Sequence, residues 1–136
     1  MRRERYPAIE FPAIASHAVS DPLITLEHIP DHGFAEASGT VDGDAESLIL
    51  RRDGTRVAAW FNICPHAGRR LDWAPGEFLL SRTGDLVCAA HGASFSPIDG
   101  RCTGGPCLGA SLRAVPVVVR DGAVFLRDVS GTSATD

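Results

Sequence analysis

Apolar residues in this chain come in short runs cut by Gly, Pro and Asp, and none has the length or 3.6-residue period of a long helix. The pattern predicts strands. Leu23-Ile24-Thr25-Leu26 reads as the first, ended by Pro30-Asp31-His32-Gly33. Residues 46–52 and 56–62 form a hairpin through Asp53-Gly54-Thr55. Residues 78–80 and 86–88 form a second, across Arg82-Thr83-Gly84-Asp85. Asp99-Gly100 turns the chain towards Gly104-Gly105-Pro106, and residues 112–120 and 124–127 close a last hairpin over Asp121-Gly122. The expectation is an all-β domain over 22–128, with a smaller lobe at about 62–108 on a β base. Residues 1–21 read as an extended arm that packs through Ile9, Phe11 and Ile14, and 129–136 as a frayed polar tail. Trp73 is expected to fill core or shield a site. His28 and His32 are four apart, but Pro30 breaks the helix that would align them, so neither is taken as a ligand.

Composition adds limits. At 136 residues the chain is one domain, and 44% hydrophobic with 22% charged residues is ordinary for a soluble protein. A net charge of −4 and no basic patch exclude nucleic acid as a partner. Arg2, Arg3, Arg5, Arg51 and Arg52 have acidic neighbours in sequence and read as a solvated surface. No run of 18 apolar residues exists, so no membrane partner or anchor is expected.

The chemistry lies between Cys64 and Cys107. Cys64-Pro65-His66-Ala67-Gly68 and Cys88-Ala89-Ala90-His91-Gly92 each offer one thiolate and one imidazole and close on glycine. These are ligands for soft or borderline metals. Tetrahedral zinc sites usually take Cys-Cys then His-His, or four Cys. One Cys and one His from each loop instead suit a two-iron cluster with both sulfurs on one iron and both histidines on the other; zinc stays as the alternative. With Phe95 and Gly104-Gly105-Pro106, these loops resemble the Rieske [2Fe–2S] proteins, over roughly residues 26–126.

The resemblance implies an antiparallel β-sandwich base with a small cluster-binding lobe. It implies one [2Fe–2S] cluster per chain, with Cys64 and Cys88 on the inner iron and His66 and His91 on the outer, more exposed one. Respiratory Rieske proteins resemble one another in a Ser after the second His-Gly, a Tyr two residues later, and a disulfide between the ligand loops. The corresponding positions here are Ala93, Phe95, and Arg69 with Ala90. The expectation is therefore a low-potential, ferredoxin-like cluster. Ser94 is one residue off the pattern and, by alternation, should point away. Cys102 and Cys107 flank the Gly-Gly-Pro loop either as a disulfide or as reduced thiols, and the reducing compartment favours thiols.

By the same resemblance the chain is expected to be an electron carrier rather than an enzyme by itself, passing electrons between a reductase and an oxygenase or similar acceptor. Arg69 and Arg70 could contribute to docking. The alternatives are a Rieske subunit of a larger oxidoreductase complex and a redox-sensing iron–sulfur domain. A catalytic oxygenase of the Rieske type needs two His and a carboxylate for a mononuclear iron, and no histidine follows His91. Exported relatives often carry a twin-arginine signal. Arg2-Arg3 is present, but Pro7, Glu10 and Pro12 interrupt the apolar stretch such a signal needs, so a cytoplasmic location is expected.

Overall fold

The computed structural model describes residues 21–65, 68–90 and 92–127. The arm at 1–20 and the tail at 128–136 lie outside them. Among the described residues every paired strand is antiparallel. The one helical element among the described residues is a single 3-10 turn at Leu26–His28. It takes over where a longer first strand was expected, and Pro30 allows no further helix. Among the described residues no helix is long and apolar enough to cross a membrane.

The strongest element is the pair β2 (Phe34–Val41) and β3 (Asp44–Asp53), in register from Phe34↔Arg51 to Val41↔Asp44. β2 was not read from the sequence. Its turn, Asp42-Gly43, has both φ values positive (52° and 87°), the left-handed pair that a two-residue hairpin loop requires. β3 then pairs with β4 (Arg56–Phe61) around Gly54-Thr55, as expected. A second sheet joins β1 (Ile24–Thr25), β10 (Ala123–Leu126) and β9 (Val117–Arg120), in the order β1-β10-β9. The expected long strand from 112 is shorter because Pro116 interrupts it. Residues 112–115 instead run beside β4, where Phe61 N–H donates to Arg113 C=O (2.9 Å) and Val115 N–H to Ala59 C=O (2.9 Å).

The lobe is a four-stranded sheet, β5 (Leu79–Leu80), β6 (Leu86–Val87), β7 (Ser94–Phe95) and β8 (Cys102–Gly104), paired in that order. Alternation along β3 and β4 explains how lobe and base join. Leu48, Leu50, Ala59 and Phe61 face one core with Val115, Val124 and Ile29. Ile49 and Trp60 face the other, with Cys64, Leu71, Leu86, Cys88 and Phe95. The central sheet is therefore covered on both faces, by the β1-β10-β9 sheet on one and the lobe on the other.

Two basic residues depart from the expected solvated surface. The Arg51 side chain is only 14% exposed; its guanidinium lies 5.2 Å from the Phe34 ring centroid and donates to His32 C=O. Arg52 donates to Leu26, Ile29 and Gly54 C=O. Both tie the 26–33 crossing to β3, and Arg52 satisfies the part-buried carbonyls of Leu26 and Ile29, which would be costly without partners.

Candidate metal centre

The two ligand loops are built alike. Cys64 N–H donates to Arg69 C=O (2.7 Å), and Gly68 N–H returns to Cys64 C=O (2.7 Å). Cys88 N–H donates to Ala93 C=O (2.7 Å), and Gly92 N–H returns to Cys88 C=O (2.9 Å). Each cysteine thus heads a loop closed to the residues four and five positions on. Gly68 and Gly92 make the closure at φ +69° and +78°, a region side chains avoid.

Cys64 and Cys88 are fully buried and share one apolar core. His66 and His91 lie outside the described residues, so the structure is silent on them. Two thiols in apolar surroundings suit metal binding, because a bare thiolate there would lack solvation whereas a bound cation neutralises it. The donor set fits a group held by two thiolates. Among the described residues alone, no group of three metal-ligating side chains gathers.

The Gly-Gly-Pro loop presses on the second ligand loop. A Cβ on Gly105 would come within 2.9 Å of Ala93 Cα and 3.1 Å of Gly92 C=O, and Gly105 sits at φ +86°. Cys102 and Cys107, on either side of this loop, are both buried and both free thiols. Burial, then hydrogen bonding with Cys102, then the nearby sulfurs of Cys102 and Cys64 push the Cys107 thiol up to about 12. Ala93 and Phe95 are fully buried and carry no hydroxyl. Ser94 points away as expected: its Oγ bonds Thr103 Oγ1 (2.9 Å), which donates to Asp85 Oδ2 (2.9 Å).

One expectation changes. Trp73 is 61% exposed, so it fills no core. Arg70, half-exposed, holds Asp72 through Nε (2.9 Å) and a terminal nitrogen (2.8 Å). His28 meets Thr25 Oγ1, and His32 lies 3.6 Å from Asp31 and Asp53, so the pair shares no site.

Sequence reasoning missed the polar group around the first loop. Asn62 and Asp72 are the buried polar and charged residues among those described. Asn62 Nδ2 donates to Asp72 Oδ1 (3.1 Å) and Ser47 Oγ (3.1 Å), while its Oδ1 accepts from Leu71 N–H (2.9 Å). Their place, just before Cys64 and just after Leu71, was the available signal.

An all-β domain with two cysteine-headed, glycine-closed loops under a Gly-Gly-Pro loop defines an iron–sulfur protein of the Rieske class. Residues 29–120 match the model of the Rieske [2Fe–2S] domain, so the chain belongs to that family and carries its [2Fe–2S] cluster. It is 37% identical over 83 residues to the oxidoreductase NdmD of Pseudomonas putida, covering 60% of this chain but only 13% of that relative. Its structure is similar to the ferredoxin of carbazole 1,9a-dioxygenase from Nocardioides aromaticivorans IC177 (TM-score 0.60, 26% identity, 78% of this chain and 94% of that one). The terminal oxygenase of the same system is similar over 79% of this chain but 30% of its own (TM-score 0.57, 27% identity).

Proposed function

We propose that the chain is a low-potential Rieske ferredoxin that carries one electron at a time between a reductase and an oxygenase or similar acceptor. The observation that carries this reading is the pair of like-built loops headed by buried Cys64 and Cys88, with no second chemical site among the described residues. The match over nearly the whole length of a dioxygenase ferredoxin supports it. In this reading Cys64 and Cys88 hold the inner iron, and His66 and His91 the outer one.

The cluster, when bound, supplies a site for one electron, at a potential within about −150 to +300 mV for mixed His/Cys ligation. The protein sets where in that range it falls. With Ala93 and Phe95 at the hydroxyl-bearing positions and Ser94 committed to Thr103, no side chain there donates to the sulfurs. The reduced, more negative state gains no support from them, so the potential sits low. Apolar walls from Leu71, Leu86 and Phe95 exclude water from the cysteine side. Exposed Ile63 (45%) and Leu108 (70%), next to Cys64 and Cys107, with exposed Arg69, offer an apolar rim and one cation to an acceptor. The setting proposed is cytoplasmic.

A second reading, a Rieske component of a larger oxidoreductase, is favoured by the match to a short part of NdmD. Stopped-flow mixing of the reduced protein with a Rieske oxygenase tests the carrier. Reoxidation on the timescale of turnover supports it, and a cluster that exchanges electrons only inside a stable complex supports the second reading.

A further inference from the structure

Hydrogen bonds lead from the base sheet across the exit of the first ligand loop to the second. Asn62 ends the β4 run, two residues before Cys64, and is 1% exposed. Its backbone N–H is fixed to Ser47 C=O on β3 (2.9 Å), and its Nδ2 to Ser47 Oγ and Asp72 Oδ1. Its remaining polar atom, Oδ1, accepts from Leu71 N–H. Leu71 is fully buried, and its C=O accepts from Ala89 N–H (3.3 Å), the residue after Cys88. One buried backbone unit thus has its N–H held from the first loop's entry and its C=O held by the second loop.

We propose that Asn62 is a positioning residue that registers the two ligand loops against each other through the Leu71 backbone. The inference rests on the ligand assignment above. Arg69 and Ala90 cannot join these loops covalently, and the Leu71–Ala89 hydrogen bond links the residue two after Arg69 to the residue before Ala90. The side chain bonds Ser47 on β3 and Leu71 and Asp72 at the first loop's exit, so its removal frees Leu71 to shift and carries Ala89, and with it Cys88, along. Asp72 cannot substitute, since both its oxygens are engaged by Arg70, Asn62 and Gly76 N–H.

The test uses the full-length holoprotein with Asn62→Leu, nearly the same size but without hydrogen bonds, and Ser47→Ala as reference. Ser47→Ala loses an Asn62 contact but leaves the Leu71 N–H acceptor. Mass-spectrometric hydrogen exchange is followed in peptides carrying Leu71 and Ala89, together with chelator bleaching and the g-values of the reduced cluster. Asn62→Leu is expected to raise exchange at both amides and the bleaching rate about tenfold each and to shift the g-values, leaving β2 and β3 protected. Ser47→Ala is expected to do none of these. Leu71 exchange rising alone with unchanged g-values, or protection falling evenly through β2–β4, overturns the proposal. If Asn62→Leu does not fold, Asn62→Ser, too short to reach Leu71, is read by the same criteria. Failure of the wild-type chain to take up iron refutes the ligand assignment instead, and the exchange at Ala89 still decides the role of Asn62.

Discussion

The potential of the cluster turns on single atoms near its sulfurs. Ala93 is fully buried directly after the second loop, against the Gly105 backbone, and has no hydroxyl to donate. Ala93→Ser should raise the midpoint by on the order of 60 mV, from a hydrogen bond to a charged group of about 1.5 kcal/mol at 59 mV per tenfold. Redox titration checks this, and an unchanged midpoint would remove position 93 from the cluster's surroundings. Cys102 and Cys107 are buried free thiols rather than a bridge, and burial pushes the Cys107 thiol up to about 12. Thiol titration of the denatured, cluster-free chain without reductant should return all 4 cysteines, whereas two would mean a disulfide. The proposed thiolate ligands Cys64 and Cys88 stood out in the sequence because each pairs with a histidine at short spacing and closes on glycine. Asn62 and Asp72 did not, because no local pattern states that residues on either side of a loop will meet and be buried.

The loops and strands carry these atoms, and their constraints are mostly backbone. Gly105→Ala puts a Cβ against the Ala93 and Gly92 backbone at a positive φ, and backbone cannot yield as a side-chain tip can. A loss of roughly 1–3 kcal/mol in chemical denaturation is expected, with faster cluster loss. Unchanged stability would mean the Gly-Gly-Pro loop is not seated as described. At Asp72, burial pushes the carboxyl up, but Arg70, Gly76 N–H and Asn62 pull it further down, leaving it below its usual value. A lowered folded value binds the proton more weakly than the unfolded chain does. The stabilisation is therefore present above about pH 4 and lost as pH falls through the folded value. Asp72→Asn should lower the urea midpoint at neutral pH and flatten its decline in acid; an unaltered acid limb would contradict the pairing. Hairpins at Gly54 and Asp121-Gly122 were legible from turn chemistry, but β2 was hidden. Its Ala35-Glu36-Ala37-Ser38-Gly39 run lacks strand-forming side chains. At Gly39 the Leu23 side chain packs across the strand, 2.6 Å from where a Cβ would sit, so tertiary packing rather than propensity holds β2.

Across the whole molecule, the central sheet feeds two cores: the base holds the fold, and the lobe shares its core with the cysteines. Among the described residues, the six large apolar side chains that are exposed run from Ile63 to Leu108, in and around the lobe. The all-β class and the lobe were legible because turn residues and ligand spacing are local, whereas the double covering of one sheet depends on contacts between distant strands. Whether the two loops hold a mixed-ligand [2Fe–2S] cluster is decided by electron paramagnetic resonance of the dithionite-reduced protein, purified with its iron. A rhombic signal with a low average g is expected, lost in Cys64→Ala and Cys88→Ala. A colourless, silent protein that retains zinc would contradict the cluster assignment and leave the same residues as a structural clamp.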